Sequence, residues 1–231
     1  MQSNGETGPV ETELSGLYSR AMRALERAPS LLETIYTHSP KLCYASQLDG
    51  AYGYFDVEKN TIYISDSLSK DMQVGVFLHE ARHLDQFKIG LCPSDALAMN
   101  EYARGVFALE ADASAISLMI AWDLKEQGEP GVWNALSSWE TQSDIASRFA
   151  ETMNASGDKG AAVSAAFEQW YVSGFRRTQY YHATCSEYLD RMDAKHSIPS
   201  YLLLPTEFFA ELCKLPNGRE YECSGPARAN Q

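Results

Sequence analysis

The sequence lacks any run approaching the roughly 18 to 20 consecutive apolar residues that a membrane-spanning helix needs, because charge breaks each candidate stretch. No membrane is expected as a partner. Positive charge is also scarce: 19 Lys and Arg stand against 31 Asp and Glu, a formal net charge of −12. Such a surface repels phosphate backbones, so nucleic acid is not expected as a partner either. Cysteine is sparse and odd in number, with Cys43, Cys92, Cys185, Cys213 and Cys223 scattered and no C-x-x-C pair. Reduced, buried thiols in a cytoplasmic protein are the expected reading; a Cys213–Cys223 bridge is compatible with the spacing but not demanded by it. The first residues, MQSNGETGPVETELSG, lack a basic stretch followed by an apolar one, which argues against classical export and leaves a non-classical route open.

What is present is a globular composition, 45% hydrophobic and 11% aromatic over 231 residues. That is enough for one sizeable core, or for a catalytic core with a helical extension. Apolar positions at helical spacing over Leu14–Leu32, interrupted at Pro29, predict an N-terminal helix or helix pair, and residues 1–35 read as tail plus helix. From Tyr44 the texture changes. AYGYFDV and TIYIS flank the polar EKN and predict a β-hairpin, with further strands expected from residues 33–48 because two strands alone are marginal. A helix is expected from Ser69 to Ile89, stopped by Gly90 and Pro93, and another from Asn100 to Gln127, ended by Gly128 and Pro130. Residues 36–128 thus form the expected core. Residues 129–231 are expected to be a helical region packed on it, with a long amphipathic segment over Ala161–Arg191.

The first of these core helices carries FLHEARHLDQ, residues 77–86. Residues four apart on a helix lie about 40° apart on one face, so His79 and His83 can direct ring nitrogens at one point. Glu80, about 100° round, is positioned beside a metal-bound water rather than on the metal. A metal there would lower the water's pKa to near 7, and Glu80 would take its proton as it attacks a carbonyl. Two core histidines with an incidental glutamate are the plain alternative. An ionisable trio in a mostly apolar helix costs several kcal/mol when unpaired, which favours the metal reading.

HEARH with its downstream glutamate helix resembles the zincin metallopeptidases of gluzincin type, and FLHEARHLDQ together with LEADA resembles a bacterial family of uncharacterised metallopeptidases. The resemblance covers about residues 44–125. It implies Zn²⁺, hydrolysis of peptide bonds in a peptide or protein substrate, and an α+β zincin-like core with a small antiparallel sheet and a central metal-binding helix. A third protein ligand is then required. Glu110 is the preferred one: its helical face carries Ala103, Val106, Ala113, Ser114, Ser117 and Ala121, small enough for close helix approach, whereas Glu101 and Asp112 point about 180° to 200° away. Asp112 or Asp85 is a candidate acceptor for a histidine N–H. For the oxyanion, FRRTQYYHATC offers Arg176, Arg177, Tyr180, Tyr181 and His182, with Tyr181 and His182 preferred. Residues 51–55 are expected to form an edge strand that pairs with extended substrate. A non-catalytic, metal-stabilised binding or regulatory module and a hydrolase of a non-peptide amide are the competing readings.

Overall fold

A computed structural model of the chain describes residues 8–48, 50–198 and 201–224. Two helices open it, α1 (Pro9–Leu25) and α2 (Pro29–His38), each with proline in the first turn, where the missing N–H breaks no intrahelical bond. Strands β1 (Lys41–Ala45), β2 (Gly53–Asp56) and β3 (Thr61–Ser65) form a sheet in the order β1-β3-β2. The expected hairpin is β2–β3, antiparallel, with Tyr54 opposite Tyr63 and their rings stacked at 4.8 Å. β1 arises within residues 33–48 as expected but runs parallel to β3, so the sheet is mixed rather than antiparallel. The cause is local. With β2 on one side of β3, only the other side is open, and β1 is fixed there as it leaves α2: Asn60 donates its side-chain amide to the His38 carbonyl (2.8 Å) and accepts from the Lys41 N–H (2.9 Å).

Helices α3 (Lys70–Lys88) and α4 (Met99–Glu126) follow within a residue of the expected bounds. The Ser69 hydroxyl caps α3 by accepting from the Met72 N–H at 3.2 Å, and Gly90, at φ +83°, turns the chain away after it. α4 is long and apolar enough to cross a membrane, but 83% of its most apolar window is buried inside the protein. Around it stand α5 (Gly131–Ser137), α6 (Ser143–Ser156), α7 (Lys159–Trp170), α8 (Gly174–Ala194) and α9 (Glu207–Leu212). One continuous hydrophobic cluster runs from Leu17 through the α3–α4 pair to Tyr221.

The amphipathic segment over Ala161–Arg191 is divided between two helices, α7 and α8. Ser173 caps α8, accepting from the Arg176 N–H at 3.2 Å, and the buried Arg176 guanidinium donates to the carbonyls of Trp170 and Thr141, each at 2.7 Å. Arg176 thereby satisfies a carbonyl at the end of α7 and holds the break open. The thiols also differ from expectation. Cys213 and Cys223 form a disulfide with Cα atoms 5.9 Å apart, and of the three free cysteines Cys92 is exposed and Cys43 and Cys185 half-buried.

Candidate metal centre

α3 and α4 lie side by side so that His79 and His83, one turn apart on α3, face Glu110 on α4. The two Nε2 atoms are 3.0 Å apart, and the Glu110 carboxylate oxygens lie 3.4 Å from His79 Nε2 and 3.3 Å from His83 Nε2. One ligand atom from each residue falls within 4.8 Å of the others. In a tetrahedral site with bonds near 2.0–2.1 Å, neighbouring donor atoms are about 3.3 Å apart. The three side chains are therefore placed to hold one divalent ion, and two imidazoles with one carboxylate are a donor set that borderline metals take. The trio opens on a cavity of about 990 Å³ bounded by β2, α3, α4, α8 and the segment after α5.

Glu80 is buried beside this trio. Burial raises its carboxyl pKa above the usual range; the His83 and His79 rings oppose that shift, Glu110 adds to it, and the Phe55 backbone N–H, pointing at the carboxylate, opposes it again. The orientation of Phe55 follows from the sheet. The Ser65 N–H donates to the Tyr52 carbonyl at 2.9 Å, so alternation along the antiparallel pair turns Tyr54 toward β3 and leaves the N–H and C=O of Gly53 and Phe55 on the outer edge. That edge borders the cavity. Gly53 is what lets it come so close: a Cβ there would stand 2.5 Å from Val76 Cγ1 and 2.8 Å from the Tyr63 carbonyl oxygen.

Behind the histidines, Gln86 makes the contact expected of Asp112 or Asp85. Its Nε2 donates to the Leu109 carbonyl (3.0 Å) and to Asp112 Oδ2 (2.7 Å), which leaves Oε1 to accept from His83 Nδ1 at 2.8 Å. His83 is thus held in the tautomer with Nδ1 protonated and Nε2 turned to the site. Asp112 is itself fully buried and accepts from Arg82 Nε (2.6 Å) and the Tyr221 hydroxyl (2.6 Å). Arg82 donates further to Asp85 (2.7 Å) and to the carbonyls of Leu212 (2.9 Å) and Lys214 (3.2 Å). The disulfide-closed segment 213–223 is so fastened to the back of α3.

Of the residues expected to meet an oxyanion, Tyr181 and His182 do not reach the cavity; both are exposed on α8. Tyr180 lines it instead. The Glu110 charge, burial and a hydrogen bond to Glu110 hold the Tyr180 hydroxyl's pKa well above its usual value, so it stays a proton donor. Tyr180, Thr184 and Tyr188 form the inward row of α8, and Tyr181 and His182 lie about 100° and 200° off it. Burial pushes the Glu110 carboxyl up, but attraction to His83 and hydrogen bonds from both imidazoles outweigh it and hold the group well below the carboxylate range. Burial lowers His83; attraction to Glu110, hydrogen bonding to it, Glu80 and the Gln86 contact more than reverse this, to about 9.

A family model described as "Putative metallopeptidase family (DUF6782)" matches residues 2–223. No curated protein and no solved structure matches the chain.

Proposed function

The chain belongs to that metallopeptidase family, and from this premise we propose that it is a zinc-dependent peptidase that cuts extended peptide chains laid along β2. The observation carrying the reading is the buried Glu80 carboxylate, set between the His79–His83–Glu110 trio and the free edge of β2. A purely structural metal site has no use for such a group. His79, His83 and Glu110 would hold Zn²⁺, which when bound supplies Lewis acidity to the scissile carbonyl and to the attacking water.

The chain's own groups do the rest. The outward N–H and C=O of Gly53 and the outward C=O of Phe55 exchange hydrogen bonds with the substrate backbone, which gives affinity independent of sequence. Glu80, its pKa raised by burial, accepts the proton of the attacking water and returns it to the leaving amine. The Tyr180 hydroxyl, kept protonated, donates toward charge developing on the carbonyl oxygen. Gln86 holds His83 against rotation throughout.

The test is an unfolded protein substrate incubated with zinc-loaded protein and analysed by mass spectrometry, alongside metal content of His79→Ala, His83→Ala and Glu110→Ala. New peptide termini from the parent, with stoichiometric zinc in the parent and none in the three variants, are the expected result. Full zinc retention in the variants, or no cleavage by a zinc-loaded parent, overturns the reading.

A further inference from the structure

The cavity follows one row of α4: Tyr102, Val106, Glu110, Ser114 and Leu118 recur every four residues and all line it. At 1.5 Å per residue this row is about 24 Å long, with Glu110 at its middle. The two halves differ. The half toward Tyr102 holds Glu187, Arg191 and Lys195, whereas beyond Glu80 the half toward Leu118 has no charged residue among the described residues that line it. Its walls are Val76, Leu118, Leu136 and Trp139, and three neutral polar groups, Ser114, Ser117 and Gln142, stand among them, all buried.

Ser114 is 3% exposed, yet its hydroxyl has no hydrogen-bond partner among the described residues. Its neighbour Ser117, on the same face, returns its own hydroxyl to the Ala113 carbonyl at 2.8 Å, as helical serines commonly do. A buried hydroxyl left unpaired costs about 1–3 kcal/mol unless something fills the space beside it. Besides letting α4 approach α3 closely, the small residues leave a chamber one turn beyond Glu110.

Strand direction says which part of a substrate reaches it. Val76 and Glu80 lie against Gly53, Trp139 lies against Tyr52 with ring centroids 4.9 Å apart, and Phe55 faces Phe87 at the opposite end. The chamber is therefore at the N-terminal end of β2. A peptide added antiparallel, the more stable pairing, runs its C-terminal half toward that end.

We propose that the chamber between Gly75, Val76, Ser114, Leu136, Trp139 and Gln142 takes the substrate side chain that follows the scissile bond, and selects uncharged side chains with an apolar body and a hydrogen-bonding tip, such as tyrosine or glutamine. This rests on the peptidase reading for its register. An apolar body covers the Leu136 and Trp139 walls, and the tip reaches the Ser114 hydroxyl. Beyond Glu80, a charged side chain would be stripped of water with no opposite charge to meet it.

The test measures binding apart from cleavage. Zinc-loaded Glu80→Gln protein is titrated calorimetrically with hydroxamate-capped peptides, whose chelating group anchors at the zinc, varying only the first side chain. Tyrosine and glutamine are expected to bind tenfold or more tighter than lysine or aspartate. In Ser114→Ala, the tyrosine and glutamine peptides should lose about five- to tenfold relative to leucine, and Ser114→Leu should shift the preference to alanine. A flat ranking, a preference for charge, or no binding at all to zinc-loaded protein overturns the chamber. If the ranking appears while the parent cleaves no peptide, the chamber stands and the peptidase reading falls.

Discussion

Helix α3 carries two sets of ionisable side chains, interleaved in sequence and opposite in fate. On the cavity side stand His79, Glu80 and His83; on the far side stand Arg82, Asp85 and the Gln86–Asp112 pair. On the far side every named group is closed off by a protein partner. Arg82 alone meets two carboxylates and two carbonyls. On the cavity side the groups crowd one another instead: two imidazoles and Glu110 aim their donor atoms at one point, and Glu80 is buried with little to offset its desolvation. Buried charge enclosed by partners fixes structure, and ionisable groups that converge on one point open to a cavity fix chemistry.

Cutting the far side should cost most. Arg82→Ala strands Asp85 and Asp112 in the core, and a loss of about 3–5 kcal/mol in urea unfolding is expected. An Arg82→Ala protein as stable as the parent would mean that water repairs the network and that the two faces do not differ in kind. On the cavity side, Glu80→Gln should leave stability and zinc content unchanged while turnover falls by about a hundredfold or more, about 2.7 kcal/mol in transition-state free energy. Retained turnover with zinc in place would remove Glu80 from the chemistry.

Gln86 joins the two faces and should give an intermediate result. Gln86→Ala frees His83 to rotate, so zinc affinity should drop about 10- to 100-fold in competition with a chelator, with secondary structure unchanged by circular dichroism. The last effect is one of pH. In metal-free protein, His83 titrates at about 9 in the folded state against about 6.5 unfolded, so its contribution to stability is complete below pH 6.5 and lost as pH rises through 9. A melting temperature that falls over that interval without zinc, and stays level with zinc, is the expected pattern.

Much of the cavity side was legible in the sequence, because it depends on spacing within single helices. His79 and His83 are one turn apart, and Glu110 was picked out by its small-residue face. Ser114 and Ser117 on that face line the cavity, so the same smallness leaves room as well as nearness. The far side was not legible in this way. The role of Gln86 depends on Leu109 and Asp112, more than 20 positions on, and Tyr221 reaches Asp112 from 109 positions away. Tyr180 was passed over for Tyr181 and His182 because the inward row of α8 is set by where that helix starts. Its start depends on Arg176 holding a break that no local pattern announces. The parallel pairing of β1 likewise follows from Asn60 bridging two segments.

The fastening of segment 213–223 to α3 sets an order of events during synthesis. Arg82 leaves the ribosome 130 residues before Leu212, whose carbonyl it needs. At about 5–20 residues per second, that interval is on the order of ten seconds. Throughout it, Arg82 has its two carboxylates but lacks the Leu212 and Lys214 carbonyls, and Asp112 is short of its Tyr221 partner. Helix α3 therefore reaches its final rigidity only once segment 213–223 has been made, long after the residues of the candidate metal site themselves.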